Sequence, residues 1–514
     1  MAPYTLADHS ATVKALSVEV SAFHTSKTPF RINHGSTNST RVRAAGTPTL
    51  NIGHLNHILS ISPESETAIV EPNVPLDALV AATLPQGFIP LVVMEFPGIT
   101  VGGGFSGASG ESSSWREGLF DCTITEIEVI LGNGEIVKAV KGGLNNDLFD
   151  MARCSLGTLG VVTLLTIKLR DARPYVEVTY QHANSIPDVL KQISKICEDN
   201  YTKSKEAGQG SAAIDFVEAI QYSPDHGAVI TGRLVSCPIS PSSRIQRFDR
   251  GFDPWFYQHA KSVTLSKSHT ELVPTSSYFF RYDRGAFWSG ESFFKYLSPL
   301  VPNNAFTRWL CAPTLTTRAI YKSMHASGGP EANIVQDLIL PFTTAQHFLD
   351  YVAEELQIWP IWICPVRHKA EDVWGHPVWH PPNATTHSTD AIDATEPWKR
   401  KKGNGKDDLT LNFGVWGAGP SNPDEFRRVN RRMEDKLREL HGMKVLYAHS
   451  FYSEDEFWGL YDKTQYERAR KKWHADALPS VWQKIKRNEV KKGDPTFAQR
   501  MLQEEHVEKG GVEG

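Results

Sequence analysis

Residues 97–119 read PGITVGGGFSGASGESSSWREGL, and the fold turns on how this run is understood. Seven of its residues are glycine and five are serine. Glycine permits positive φ and close main-chain approach, at an entropic cost that needs a return. Successive N–H groups in such a segment curl into concave nests that hold phosphate oxygens. A plain linker would lack the embedded Ile99, Val101, Phe105 and Trp115. The segment therefore reads as a nucleotide-cofactor cradle. Gly102, Gly104 and Gly107 also spell G-x-G-x-x-G, but that fingerprint needs a strand directly before it and a helix opening after it. Pro97-Gly98 precedes it and 108–112 (ASGES) follows, so a Rossmann unit is excluded.

The rest of the composition narrows the class. With 514 residues the chain can hold two or three domains, and its net charge of −4 comes from well-mixed signs. Its short basic clusters do not form a nucleic-acid footprint. The six cysteines are scattered without paired spacing, which argues against a disulfide framework and a zinc site. The histidines of the polar stretch 366–408 (His368, His376, His380, His387) lack metal spacing, so no metal is expected. No run approaches the roughly 20 apolar residues of a membrane span, and the N-terminus lacks the basic end and apolar core of a signal peptide. A cytoplasmic protein is expected, with peripheral contact at the endoplasmic reticulum left open. No protein partner is inferable.

Along the chain, 11–25 reads as a helix and 30–33 as a strand, followed by a second small-residue turn, HGSTNST (34–40). Strands are expected at 56–61 and 67–72, and a helix at 76–84. Asn133-Gly134 between 123–131 and 135–140 signals a hairpin whose central residues both take positive φ. A third small-residue turn, SLGTLG (155–160), opens an apolar strand at 161–169. From about 174 the sequence becomes aromatic-rich, with alternating strands and helices. Residues 409–416 alternate as a strand, Phe426, Val429, Met433, Leu437 and Leu440 trace a helix face, and 445–452 reads as a further strand. The expected fold is α+β: a two-subdomain flavin domain over 1–172 and a cap with a helix-covered antiparallel sheet over 173–455. Within the cap, 366–408 is an insertion. A helical segment over 456–490 packs back on the first domain, and 491–514 is a frayed tail.

Three glycine-bearing turns in one third of a chain suit a diphosphate bridging a large planar ring and an adenine. The sequence here resembles the FAD-linked oxidoreductases of the vanillyl-alcohol-oxidase/p-cresol-methylhydroxylase (PCMH-type) superfamily. The resemblance rests on Thr100-Val101-Gly102-Gly103, Gly110-Glu111-Ser112-Ser113, Gly118-Leu119-Phe120 and the turn at 155–160. It is similar in particular to the delta(24)-sterol reductase (Diminuto/Dwarf1-like) branch. The shared stretches there are Ile69-Val70-Glu71-Pro72, Asp253-Pro254-Trp255-Phe256, Arg281 with Arg284, Val335-Gln336-Asp337, 359–365 (WPIWICP), Leu446-Tyr447-Ala448 and Glu456-Phe457-Trp458. The resemblance implies FAD held by His34, Gly35, Ser36, Thr37, Asn38 and Ser39 in the first turn. In the main segment it implies Gly98, Thr100, Val101, Gly102, Gly103, Gly107, Ser109, Gly110, Glu111, Ser112, Ser113 and Gly118. In the last turn it implies Gly157, Thr158, Gly160 and Val161. Asn38 stands where relatives place a flavin-linking His, and 92–103 lacks Cys, so FAD is expected to be non-covalent, His34 being the one exception.

The same resemblance implies NADPH-dependent reduction of an isolated C=C bond in a sterol or terpenoid. An unconjugated alkene accepts hydride poorly, so a proton donor must be held beside an apolar pocket. Tyr447 and His449, two apart on the expected strand, would face one side as donors. Arg281 would bind phosphate or orient them. The alternative is a flavin oxidase that dehydrogenates an alcohol or natural product and passes electrons to oxygen. Animal and plant members of the branch carry an N-terminal apolar anchor, whereas this chain is expected to begin directly with the flavin domain.

Overall fold

The computed structural model describes residues 4–35, 46–206, 214–236, 245–265, 268–291, 294, 301–327, 333–367, 409–420, 422–448 and 450–486. The chain is α+β, built around two large antiparallel sheets.

Strands β1 (Arg31–Asn33) and β2 (Thr49–Asn51) form a small parallel pair. Then come β3 (Ile58–Ser62), β4 (Thr67–Val70), β5 (Phe88–Pro90), β6 (Ile124–Ile130), β7 (Ile136–Val140) and β8 (Val161–Asp171). These six make the first sheet in the order β3-β4-β8-β6-β7, with β5 also paired to β8. The β6–β7 hairpin stands where Asn133-Gly134 placed it, but only Gly134 is left-handed, at φ 90°. The turn is longer than two residues, closed by Leu131 N to Glu135 O at 2.8 Å. The helix Leu6–Thr25 lies across it, with Ser17 Oγ donating to Gly134 O at 2.6 Å, so glycine is needed for space as well as for φ. That helix starts five residues before the expected boundary because Thr5 and Asp8 form a capping box.

The glycine-rich run also departs from expectation. Residues Val101–Gly107 are a short helix, capped by Thr100 Oγ1 accepting from Gly103 N at 3.1 Å. Gly102, Gly104 and Gly110 serve packing: a Cβ on each would collide with Pro72, with Met94 and Phe120, and with Leu119 respectively. No strand directly precedes this helix and the glycines lie inside it, so the exclusion of a Rossmann unit stands.

The second sheet comprises β9 (Tyr175–Ala183), β10 (Phe216–Ser223), β11 (His226–Val235), β12 (His269–Pro274), β13 (Asn333–Pro341), β14 (Ile361–Arg367), β15 (Leu409–Ala418) and β16 (Met443–Lys444). Their order is β12-β9-β11-β10-β14-β15-β13-β16. Side chains alternate between its faces with period two. On the back face Val217, Ala219, Ile334, Leu338, Ile361, Ile363, Leu411, Phe413 and Val415 pack with the helices Ile186–Glu206, Ala345–Tyr351 and Pro423–Glu439. The opposite parity of β10, β13, β14 and β15 turns Glu218, Asp337, Trp362, Cys364, Asn412 and Trp416 to the front, towards the N-terminal third of the chain.

One expected strand does not form. Only Met443–Lys444 pairs with β13; Val445 N still bonds Asp337 O at 3.0 Å, and the chain then turns. Val445, Leu446 and Ala448 are all buried, so this stretch does not present one face as a half-buried strand would. The placing of Tyr447 and His449 on one strand face is thereby overturned; His449 itself lies outside the described residues.

Candidate functional site

Four neighbouring strands deliver the front-face row. In register, Ile220 faces Trp362, Trp362 faces Gly414, and Gly414 faces Asp337. Gly414 leaves room for the Trp362 ring: a Cβ there would sit 3.2 Å from Trp362 Cβ and 3.5 Å from Asp337 Oδ1.

Two acid centres stand on this row. At the first, Glu218 is fully buried and takes bonds from Arg281 Nε (3.0 Å) and Nη2 (2.8 Å), Tyr282 Oη (3.0 Å) and Trp362 Nε1 (2.8 Å). Arg281 also reaches Glu111 Oε1 at 2.5 Å and Tyr278 O at 2.9 Å, and its guanidinium lies 4.2 Å from the Tyr278 ring centre. Four of its five N–H groups are committed to carboxylates and a carbonyl, which leaves at most one for the expected phosphate role. Burial pushes Glu111 up to about 7 against the pull of Arg281, with Glu218 adding repulsion. Ser112 donates to Glu111 through both its amide and its hydroxyl.

At the second centre, Asp337 accepts from Tyr447 Oη at 2.6 Å and from Asn412 Nδ2 at 2.8 Å. Asp337 and Tyr447 are only partly buried by surface, yet burial in their dense surroundings raises both pKa values. Glu95, from the N-terminal third, is held well above the carboxylate range by burial and by the nearby Glu111. An aromatic wall adjoins them: Phe96, Phe287 and Trp416 lie with ring centres 5.3–5.7 Å apart, and Tyr321 stands 6.3 Å from Phe96. Two buried polar atoms of this face have no protein partner among the described residues, Trp416 Nε1 and Asn412 Oδ1.

Two of the three small-residue turns meet near this row. Cys154 N donates to Phe105 O (3.1 Å) and Leu156 N to Ser106 O (2.9 Å), joining the main segment to the 155–160 turn. Cys154, Leu156 and Gly157 have φ of 56°, 56° and 69°. Ser155 between them does not, and such changes of hand curl amides into a nest. Beside Gly107 and Gly35 a Cβ would meet nothing within 4 Å. This backbone, together with the unpartnered Trp416 donor and Asn412 acceptor, fits a large nucleotide with a hydrogen-bonding ring edge.

The other expected binding residues fall as follows. The Val101 and Gly102 amides bond Val74 O and Pro72 O, and Gly98 abuts the Arg318 side chain. Ser109 O accepts from Phe120 N, Ser113 is buried, and Gly118 is left-handed at φ 79°. Thr158 accepts from Tyr466 Oη at 2.9 Å, and its carbonyl takes Arg470 at 2.7 Å from the C-terminal helices. Gly160 packs on Val129, and Val161 is a buried strand residue. His34 is exposed; Ser36, Thr37, Asn38 and Ser39 lie outside the described residues. The sequence reading missed Glu95, Glu218, Asp337, Trp362 and Trp416 as site residues. An acid inside an apolar strand, as in Phe216-Val217-Glu218-Ala219-Ile220, was the available signal.

Residues 6–139 match the FAD binding domain family. The chain is 28% identical over 463 residues to "Delta(24)-sterol reductase" of Arabidopsis thaliana, covering 85% of this chain and 76% of that protein. It is an FAD-linked oxidoreductase, similar to the delta(24)-sterol reductases over most of its length. The human "Delta(24)-sterol reductase" is 26% identical over 449 residues, covering 84% of this chain and 76% of that protein. An "Uncharacterized oxidoreductase ORF5 in fasciation locus" of Rhodococcoides fascians shares 31% over 197 residues, 37% of this chain and 43% of that protein. The sterol reductase matches extend across the front-face row of the oxidoreductase as well as its flavin domain. No described helix is long and apolar enough to cross a membrane.

Proposed function

We propose that this oxidoreductase uses NADPH and non-covalently held FAD to reduce an isolated C=C bond of a sterol or terpenoid-type substrate. The observation that carries the reading is the Tyr447–Asp337 pair, deep, accessible and beside an aromatic wall. The flavin domain would span 1–172 and the cap 173–455, with 456–490 returning onto the flavin domain. The turns at 34–39, 98–118 and 157–161 would hold the dinucleotide. FAD, when bound, supplies a ring that carries hydride. The chain supplies the proton, the apolar wall and the exclusion of water. Tyr447 donates its hydroxyl proton to the less substituted alkene carbon. Asp337, raised by burial, can hold a proton and return it to the tyrosyl oxygen. Phe96, Phe287 and Trp416 offer hydrocarbon and π surface to an apolar substrate. Arg281 acts at one remove: by pinning Glu111 and Glu218 together it fixes the flavin domain against the cap.

Anaerobic NADPH titration of FAD-loaded protein, followed by addition of a sterol with a side-chain alkene, tests the proposal. Bleaching of the flavin absorbance by NADPH and its return on adding sterol are expected. No reduction by NADPH, with rapid reoxidation in air after reduction by an alcohol, would overturn it in favour of the oxidase.

A further inference from the structure

Outside the active-site row, one cluster has the geometry of a ligand set. Glu271, its side chain fully buried on β12, directs Oε1 to His259 Nε2 at 2.8 Å and Oε2 to His269 Nε2 at 3.0 Å. His269 and Glu271 are two apart on β12 and so share a face. His259 comes from the helix Phe256–Val263 that precedes that strand. The three candidate ligand atoms lie within 4.8 Å of one another. A tetrahedral Zn²⁺ with bonds of about 2.0–2.2 Å needs its ligand atoms roughly 3.3 Å apart. The present contacts, 2.8 Å to Oε1 and 3.0 Å to Oε2, use different oxygens, so coordination through one of them needs a small turn of the carboxylate and lets the two nitrogens, within 4.8 Å, settle about the ion.

The surroundings suit a metal. Tyr180 Oη donates to Glu271 Oε1 at 2.9 Å, the outer hydrogen bond that orients a ligating carboxylate. Tyr180 and Phe248 hold the His259 ring edge-on at 5.7 and 5.4 Å. The His269 side chain is 33% exposed, which gives an ion a path in and leaves a fourth position for water. Two imidazoles with one carboxylate favour zinc and its neighbours over magnesium or calcium.

We propose that His259, His269 and Glu271 form a zinc site that clips the outermost strand of the eight-stranded sheet to its preceding helix. Binding exchanges the imidazole N–H protons that now face the carboxylate for the ion. The site is separate from the flavin chemistry: the Phe256 ring stands between Tyr180 and Arg281, 6.1 Å from one ring and 5.2 Å from the other guanidinium.

The test is equilibrium dialysis of chelator-treated, FAD-loaded protein against ZnCl₂, with elemental analysis, thermal unfolding and flavin absorbance read together. The wild type should retain one zinc per chain and melt at higher temperature with the metal present. His269→Ala should weaken zinc binding at least about tenfold and abolish the thermal shift, with flavin content unchanged. Glu271→Gln should do the same; should that variant fail to fold, the part-exposed His269 decides alone. Equal zinc retention by wild type and His269→Ala would overturn the proposal and leave a plain hydrogen-bonded triad.

Discussion

Glu218 and Asp337 stand on the same face of the same sheet, yet they are furnished for different work. Glu218 is wholly enclosed and accepts four bonds from arginine, tyrosine and tryptophan. Asp337 accepts two, one from a tyrosine hydroxyl, and both members of that pair keep accessible surface. A saturated buried ion pair costs desolvation and adds little net stability, but it fixes geometry and is costly to break. An acid with a short bond to one accessible hydroxyl can pass a proton. On the proposed function, the difference gives the row an anchoring end and a reacting end.

The hardest test falls on the reacting end. Tyr447→Phe should lower alkene reduction by about 10²–10⁴-fold while leaving reduction of bound flavin by NADPH nearly unchanged. Stopped-flow measurement of the two half-reactions separates them; equal loss in both would move Tyr447 to the anchoring side. At the other end, Arg281→Met would leave Glu111 and Glu218 unpaired and should cost about 3–5 kcal/mol in urea unfolding. Adding Glu218→Gln to that variant should recover part of the loss. If Arg281→Met instead unfolds like wild type and only turnover falls, the anchoring role is wrong.

How much of this was legible beforehand depends on range. Local chemistry read well: the small-residue turns marked the flavin domain, Asn133-Gly134 marked the hairpin, and the spacing of Phe426, Met433 and Leu437 marked a helix on the sheet's back face. The role of individual glycines did not read well. Close contact with Pro72 or Leu119 and close contact with a ligand both demand the absence of a Cβ, and sequence cannot tell them apart. Tyr447 was singled out for a strand that does not form. Its real partner, Asp337, lies 110 positions away and meets it through the end of the β13–β16 ladder. Glu218 and Trp362 meet likewise only through strand register, which one sequence does not specify.

Acid–base behaviour offers a finer cut between the two ends. Glu111 is raised from 4.5 to about 7 in the fold, so between those values the folded state binds more protons than the unfolded chain. Its contribution to stability is present in full below pH 4.5 and is lost as pH rises through 7. Glu111→Gln should therefore flatten the pH-dependence of unfolding across that window by on the order of 3 kcal/mol, while leaving the pH profile of proton delivery at Tyr447 in place. A change in that profile instead would mean that the two ends share one titration.

The smallest expected effect concerns Trp416, whose Nε1 is buried without a protein acceptor among the described residues. An unpaired buried donor weakens a fold, whereas one that bonds a ligand weakens only the empty protein. Trp416→Phe removes the donor and keeps an aromatic ring against Phe96 and Phe287. If the indole N–H serves flavin or substrate, the variant should bind that ligand about 0.5–1.5 kcal/mol more weakly, and the unliganded protein should be as stable as before or more so. Isothermal titration with FAD and with substrate, beside urea unfolding of the flavin-free protein, resolves both signs. Unchanged affinity for each ligand, with lower stability of the empty protein, would show that the ring is only packing and that the site's hydrogen-bonding edge ends at Asn412.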